Sequence, residues 1–106
     1  MPKYLIQASY TAEGLKGLQK DKASGRMAAA SRAVESLGGK LESFYFALGD
    51  YDVITVVDLP DTASAAALSA TVSASGLVHS RTTALLTVEE ADKALAKSVN
   101  YKAPGR

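Results

Sequence analysis

The chain has 106 residues, and its twelve lysines and arginines against eleven aspartates and glutamates leave a formal charge of +1. This length corresponds to one domain, and the balance of charge argues against nucleic acid or a membrane surface as a partner. The absence of cysteine and the presence of a single histidine, His79, exclude disulfides, thiolate nucleophiles and metal sites built from cysteine or several histidines. No apolar run approaches the roughly 20 residues of a membrane span, and no signal-peptide pattern precedes the first strand, so we expect a cytoplasmic protein.

Alanine dominates the apolar part of the composition. Hydrophobic residues make up 47% of the chain, and nineteen of them are alanine. Because burial contributes about 0.8 kcal/mol per CH₂ group, a core built largely of methyl groups stabilises a single subunit weakly. A partner subunit would offset this weakness.

The chain opens with a strand and a long, interrupted helix. Residues 4–10 are β-prone and partly alternating, which predicts a strand. Thr11 is a suitable N-cap for the helix, and the glycines at 38–39 accept the left-handed backbone on which a helix ends. The apolar stripe of this helix consists of Leu15 and Leu18, followed by Ala23, Met27, Ala30, Val34 and Leu37. Its two parts are about half a turn out of phase, so we expect a break near residues 20–25.

The two strongest strand patterns lie at residues 40–48 and 51–58, and only Gly49 and Asp50 separate them. A two-residue link with glycine first is typical of a type II′ hairpin, because glycine accepts the positive φ of the first turn position. Such a turn would pair Leu48 with Tyr51, Phe46 with Val53, and Phe44 with Thr55.

A second helix, a fourth strand and a third helix complete the pattern. Asp61 is a suitable N-cap for the second helix, and Gly76 is a suitable end. The pattern of residues 77–86 predicts a strand. Residues 87–90 match a capping box, which predicts the start of the last helix. We expect the apolar positions of this helix to face inward; they are Val88, Ala91, Leu95 and Val99.

The element order β-α-β-β-α-β-α indicates an α+β fold. Two β-α-β halves joined by a hairpin are typical of a ferredoxin-like domain, with a four-stranded antiparallel sheet and both main helices on one face. We expect this domain, with its C-terminal helix, to span residues 1–99, and residues 100–106 to form a mobile tail.

The hairpin register predicts that both faces of the sheet are apolar. The face turned away from Phe44 and Phe46 carries Leu41, Tyr45, Ala47, Ile54 and Val56, together with Asp52 and Asp58. An antiparallel sheet with one solvated face usually alternates apolar with polar residues, and the helices of this fold cover one face only. We therefore expect a second copy to cover the other face, giving a dimeric α/β barrel or a larger homo-oligomer. The alternative is that a few apolar residues remain exposed, as on most protein surfaces.

Three short stretches together resemble a known family. They are Tyr10–Gly14, Gly38–Tyr45, and Gly49–Val53 with Asp58–Asp61. Their order and spacing are similar to those of the GYD domain family, whose Gly-Tyr-Asp signature falls on Gly49, Tyr51 and Asp52. The resemblance spans residues 4–90 and implies a dimeric α/β barrel, but no assigned activity. The family pattern begins the last strand with an arginine, where this chain has His79, with Arg81 two residues later.

Six residues are candidate ligand-binding groups. They are Gln7, Tyr45, Tyr51, Asp52, His79 and Arg81. His79 and Arg81 share one face of the last strand, where arginine suits an anion and histidine suits proton transfer near neutral pH. The alternative interpretation is structural. In it, Asp52 caps backbone N–H groups at the hairpin end, Tyr51 packs against Leu48, and the last strand is a solvated edge.

Three functions remain open. The predicted sheet is apolar on both faces and carries only a few polar residues, and the chain lacks a phosphate-binding loop, a nucleophile elbow and a metal cluster. These features favour a small-molecule-binding or regulatory module for a small anionic or apolar ligand, without cofactor or metal. The second function is a cofactor-independent enzyme of the isomerase, decarboxylase or monooxygenase type. In that enzyme His79, Tyr51 or Asp52 would move a proton, and Arg81 would hold an anion. The third function is that of a structural subunit in an assembly.

Overall fold

The computed structural model describes all 106 residues, which form four strands and three helices. The strands are β1 (Lys3–Tyr10), β2 (Lys40–Phe46), β3 (Val53–Asp58) and β4 (Val78–Leu85), and the helices are α1 (Ala12–Ser36), α2 (Thr62–Ala74) and α3 (Val88–Leu95). The sheet has the order β2-β3-β1-β4, and every neighbouring pair is antiparallel. This arrangement confirms the predicted α+β ferredoxin-like fold with a C-terminal helix.

Both ends of α1 are set by the residues that the sequence indicates. The Thr11 side chain accepts a hydrogen bond from the N–H of Gly14, at 3.2 Å. At the other end Gly38 adopts φ 79°, and the N–H of Gly39 returns to the carbonyl of Val34, at 3.0 Å. This is a Schellman ending, which needs a residue that tolerates positive φ.

Side-chain caps also begin α2 and α3 where they are predicted. Asp61 accepts a hydrogen bond from the N–H of Ser64 at 2.8 Å, which lowers the pKa of the Asp61 carboxyl below its ordinary value. Thr87 and Glu90 form the reciprocal capping box, and the hydrogen bond from the Thr87 N–H lowers the pKa of Glu90. In each helix the cap side chain therefore satisfies the N–H of the third helical residue, Ser64 in α2 and Glu90 in α3.

The predicted break in α1 lies at Lys22. This residue has φ 64° and ψ 168°, so the helical path is interrupted there and resumes immediately afterwards. That backbone region is almost exclusive to glycine, because a Cβ atom crowds the neighbouring peptide groups. The part of α1 after the kink contributes Val34 and Leu37 to the core, whereas Leu15 before the kink is 44% exposed.

The β2–β3 connection is longer than predicted. β2 ends at Phe46 and β3 begins at Val53, and the Phe46–Val53 and Phe44–Thr55 pairs form as predicted. The proposed Leu48–Tyr51 pair and its two-residue turn are wrong. Instead the N–H of Ala47 donates to the carbonyl of Asp52 at 2.8 Å, and Leu48 points fully into solvent.

A β-bulge in β2 corrects one face assignment. The register shifts between Leu41 and Ser43, so that Leu41 pairs with Val57 on the helix side of the sheet. Leu41 packs against the core instead of lying on the opposite face, as the regular alternation predicts. The extra residue in one strand reverses the alternation beyond it, and sequence periodicity does not detect such an insertion.

The tightly packed core is small and lies at one end of the sheet. Only nine of the 106 residues are buried. The core cluster consists of Tyr4, Val34, Val57, Leu59 and Ala65, and Leu59 is the most completely enclosed, with no exposed surface. Because Leu59 follows β3 directly and contacts the end of α1, this cluster joins the hairpin to both helices.

Helix α3 forms as predicted, but its apolar side does not face inward. Val88 is 81% exposed, Leu95 is 84% exposed, and Val99 beyond the helix is 80% exposed. The molecule is correspondingly elongated, with principal extents of 56 × 33 × 24 Å. Helical periodicity predicts that a helix has an apolar side, but it does not predict which surface covers that side.

The backbone strain at Lys22 is testable by substitution. We expect Lys22→Gly to raise the free energy of unfolding by about 1 kcal/mol, because glycine removes strain of about 1–3 kcal/mol and adds a smaller unfolded-state entropy cost. Urea denaturation would measure the difference. Lys20→Gly, in a regular part of α1, is the control and should lower the stability by about 1 kcal/mol. Equal destabilisation by both changes would contradict the strain at Lys22.

Candidate functional site

A cleft lies between the helices and the centre of the sheet. α1 packs mainly against β2 and α2 against β4, which are the two edge strands. The helices therefore leave a gap above the central strands, with a volume of about 140 Å³. Fourteen of the nineteen residues that line the cleft are hydrophobic, so it offers an apolar environment to a ligand.

Small side chains on α1 keep this space open. Ala29, Ala30 and Ala33 face the cleft from α1, and Leu68 and Val72 face it from α2. Alanine ends at Cβ, so one wall lies further from the sheet than a leucine side chain would allow. The alanine content that weakens the core is thus also the reason for the cleft.

A few polar groups interrupt the apolar walls. The Thr55 hydroxyl on the floor donates to the carbonyl of Ser43. Ser69, Ser80 and Thr82 bring further hydroxyl groups, which both donate and accept hydrogen bonds. Such a small number of polar groups in an apolar cavity is the usual composition of a small-molecule site.

Arg26 is the only charged residue that lines the cleft. Its side chain is 34% exposed, and its Nη1 atom lies 3.7 Å from the Asp21 carboxylate. Arg26 also lines a second, more polar cleft of about 210 Å³ beside the N-terminal half of α1. Arg26 therefore borders both clefts.

Four of the six predicted site residues lie on the sheet face that points away from the helices, which we call the open face. Strand pairing places Leu5, Gln7, Ser9, Tyr45, Ile54, Val56, His79, Arg81 and Thr83 on this face. Gln7 and Arg81 are direct cross-strand partners, and His79 pairs with Ser9 in the neighbouring position. Tyr45 lies three strands from Arg81, about 14 Å away at ordinary strand spacing. None of these four residues lines the cleft.

The other two predicted residues, Tyr51 and Asp52, belong to the β2–β3 connection. The Asp52 carboxylate accepts a hydrogen bond from the N–H of Tyr10 at 2.8 Å, and the Asp52 N–H donates to the carbonyl of Ala8 at 2.8 Å. In the same loop the Ser9 hydroxyl donates to the Asp50 carbonyl at 3.2 Å. These bonds fasten the loop to the end of β1, as the structural interpretation of Asp52 predicts. Tyr51 is half-buried, but Leu48 is too exposed to be its packing partner.

A charged cluster marks the opposite end of the open face. The Lys3 ammonium lies 2.8 Å from Asp58 and 3.1 Å from Glu42. The hydrogen bond to Asp58, followed by that to Glu42, raises the pKa of Lys3 above its ordinary value. All three side chains are in contact with solvent, so this cluster positions strand ends and contributes little net stability.

Two features are absent from the structure, a metal-ligand cluster and a membrane-spanning helix. No group of three or more His, Cys, Asp or Glu side chains converges as metal ligands would. No helix is long and apolar enough to cross a membrane.

The sequence did not identify Arg26 or the cleft. The alanines at 29, 30 and 33 form a small-residue face on a helix, and Arg26 lies three to seven residues before them on the same side. An arginine beside an otherwise small and apolar helical face was the available signal. This pattern indicates a site only in combination with the gap between α1 and α2, which the sequence does not show.

The role of Asp52 as a fastener is testable. We expect Asp52→Ala to lower the free energy of unfolding by about 1–3 kcal/mol, since it removes a charged acceptor and leaves the Tyr10 N–H without its partner. Asp50→Ala in the same loop is the matched control, because the Asp50 contact uses its backbone carbonyl. Its effect should stay within about 0.5 kcal/mol. Urea denaturation distinguishes the two, and equal losses would count against the fastener.

The comparisons with known proteins identify a family and no individual relative. No curated protein and no solved structure matches this chain. The family model described as the GYD domain matches residues 4–95, which is nearly the whole chain. The signature positions Gly49, Tyr51 and Asp52 fall in the loop that is fastened to β1. The chain therefore belongs to the GYD domain family.

Proposed function

We propose that this protein is a homodimeric module that binds a small apolar molecule in the cleft between its helices and its sheet. The observation that carries the proposal is the cleft itself, an apolar space of about 140 Å³ within a very small domain. Native interiors are otherwise close-packed, so an unfilled space of this kind requires an explanation.

The size of the cleft limits the ligand to about one ring. An apolar cavity of about 150 Å³ in an engineered protein stays dry and binds benzene. The walls here are mostly methyl and aliphatic groups, which favour a hydrocarbon over water. The ligand class that we propose is thus a compound with a single ring or a short branched chain.

Ligand binding can be measured with toluene as the probe. We expect toluene to shift the amide NMR signals of residues around Ala30 and Val72, because both line the cleft. Ala30→Leu should abolish these shifts by filling the space. Ala28→Leu is the matched control on the exposed side of α1 and should leave them unchanged. Binding that is absent in the unaltered chain, or that persists in Ala30→Leu, would remove the cleft as the site.

The homodimer is proposed from the open face. Leu5, Ile54 and Val56 form an apolar centre there, and polar or charged groups surround it on the neighbouring positions. This is the usual composition of a protein interface, in which an apolar core has a polar rim. A second copy seated on this face would also enclose Gln7, Tyr45, His79 and Arg81 between the two sheets, where they could contact a small anionic ligand.

The solution mass tests the homodimer. We expect light scattering to give twice the 11.0 kDa of one chain. Ile54→Lys should reduce the mass to that of one chain, because it places a charge at the centre of the open face. Ala67→Lys, on the exposed side of α2, should leave the dimer intact. A mass of one chain for the unaltered protein would contradict the proposal.

A further inference from the structure

The one charged residue of the cleft lacks a close partner. Arg26 is two-thirds buried, and its nearest carboxylate, on Asp21, stands 3.7 Å from a single guanidinium nitrogen. A guanidinium presents five N–H donors in a planar fork, and a well-formed pair places two of them within about 3 Å of a carboxylate. The fork is therefore left largely unused.

The position of Arg26 connects this unused fork to the apolar space. Arg26 lines the cleft together with Ala29, Ala30 and Ala33, the residues that keep it open. No aspartate or glutamate lines the cleft, so nothing within it competes for the guanidinium. Asp21 reaches Arg26 from the second cleft, which it also lines, and its side chain is 49% exposed.

We propose that the cleft binds a small apolar monocarboxylate, with its hydrocarbon part against the alanines and its carboxylate on Arg26. This inference rests on the proposed function, because it assigns a ligand class to the same cleft. The carboxylate would take two parallel N–H···O bonds from the guanidinium and displace the weak contact with Asp21. A single arginine matches a single negative charge, and the remaining walls have no further cation to hold a dianion.

Benzoate and benzamide are suitable probes, since they have the same shape and differ in charge. We expect the unaltered protein to bind benzoate at least tenfold more tightly than benzamide, as measured by amide NMR titration. Arg26→Gln should make the two affinities equal. Arg32→Gln, which removes an exposed arginine from the same helix, should leave the preference unchanged.

A second variant tests the inference without altering Arg26. Asp21→Asn removes the carboxylate of the second cleft, so benzoate should bind several-fold more tightly while benzamide is unaffected. Toluene binding by each variant shows whether the cleft is still intact. This control separates the loss of the charge contact from the loss of the folded cleft.

The outcomes distinguish the inference from the function on which it rests. If toluene binds but benzoate is no better than benzamide, the carboxylate inference is overturned and the apolar site remains. The inference is likewise overturned if Arg26→Gln keeps the preference for benzoate while retaining toluene binding. If neither toluene nor benzoate binds the unaltered protein, the proposed function and the inference both fail.

Discussion

The distance between α1 and the centre of the sheet governs most of this structure. Alanine side chains on the inner face of α1 do not reach the central strands, so the two helices rest on the edge strands β2 and β4. Close packing is confined to the end of the sheet around Leu59, where larger side chains meet. The space above the centre of the sheet remains a cleft. The alanines of α1 therefore separate two regions between the helices and the sheet, the packed core around Leu59 and the open cleft.

The signature that identifies the family acts on the backbone of a loop. Gly49 adopts φ 127°, and Asp52 binds the N–H of Tyr10 at the end of β1. They fasten the β2–β3 connection to β1, and Gly49 and Asp52 do not line the cleft. Family membership therefore carries information about architecture, while the cleft is lined by other residues of the helices and strands.

Local signals predicted much of the fold, and long-range contacts account for what they missed. Caps at Thr11 and Asp61 depend on neighbouring residues, so the sequence alone places them correctly. The side that Leu41 occupies depends on a bulge, and the exposure of Val88 depends on which surfaces are available to α3. Arg26 could not be recognised as a candidate because its setting arises from two helices that are far apart in sequence. His79 and Arg81 do share one face of β4, because alternate residues of a strand point to the same side.

The bulge in β2 gives the two edges of the sheet unequal properties. β2 is irregular between Leu41 and Ser43 and carries exposed charges at Lys40 and Glu42, which are features that hinder the addition of another strand. β4 pairs regularly over eight residues, and its outer edge has no neighbour in the sheet. The β2 edge therefore resists the addition of a strand from another molecule, whereas the β4 edge offers a regular row of unpaired backbone groups.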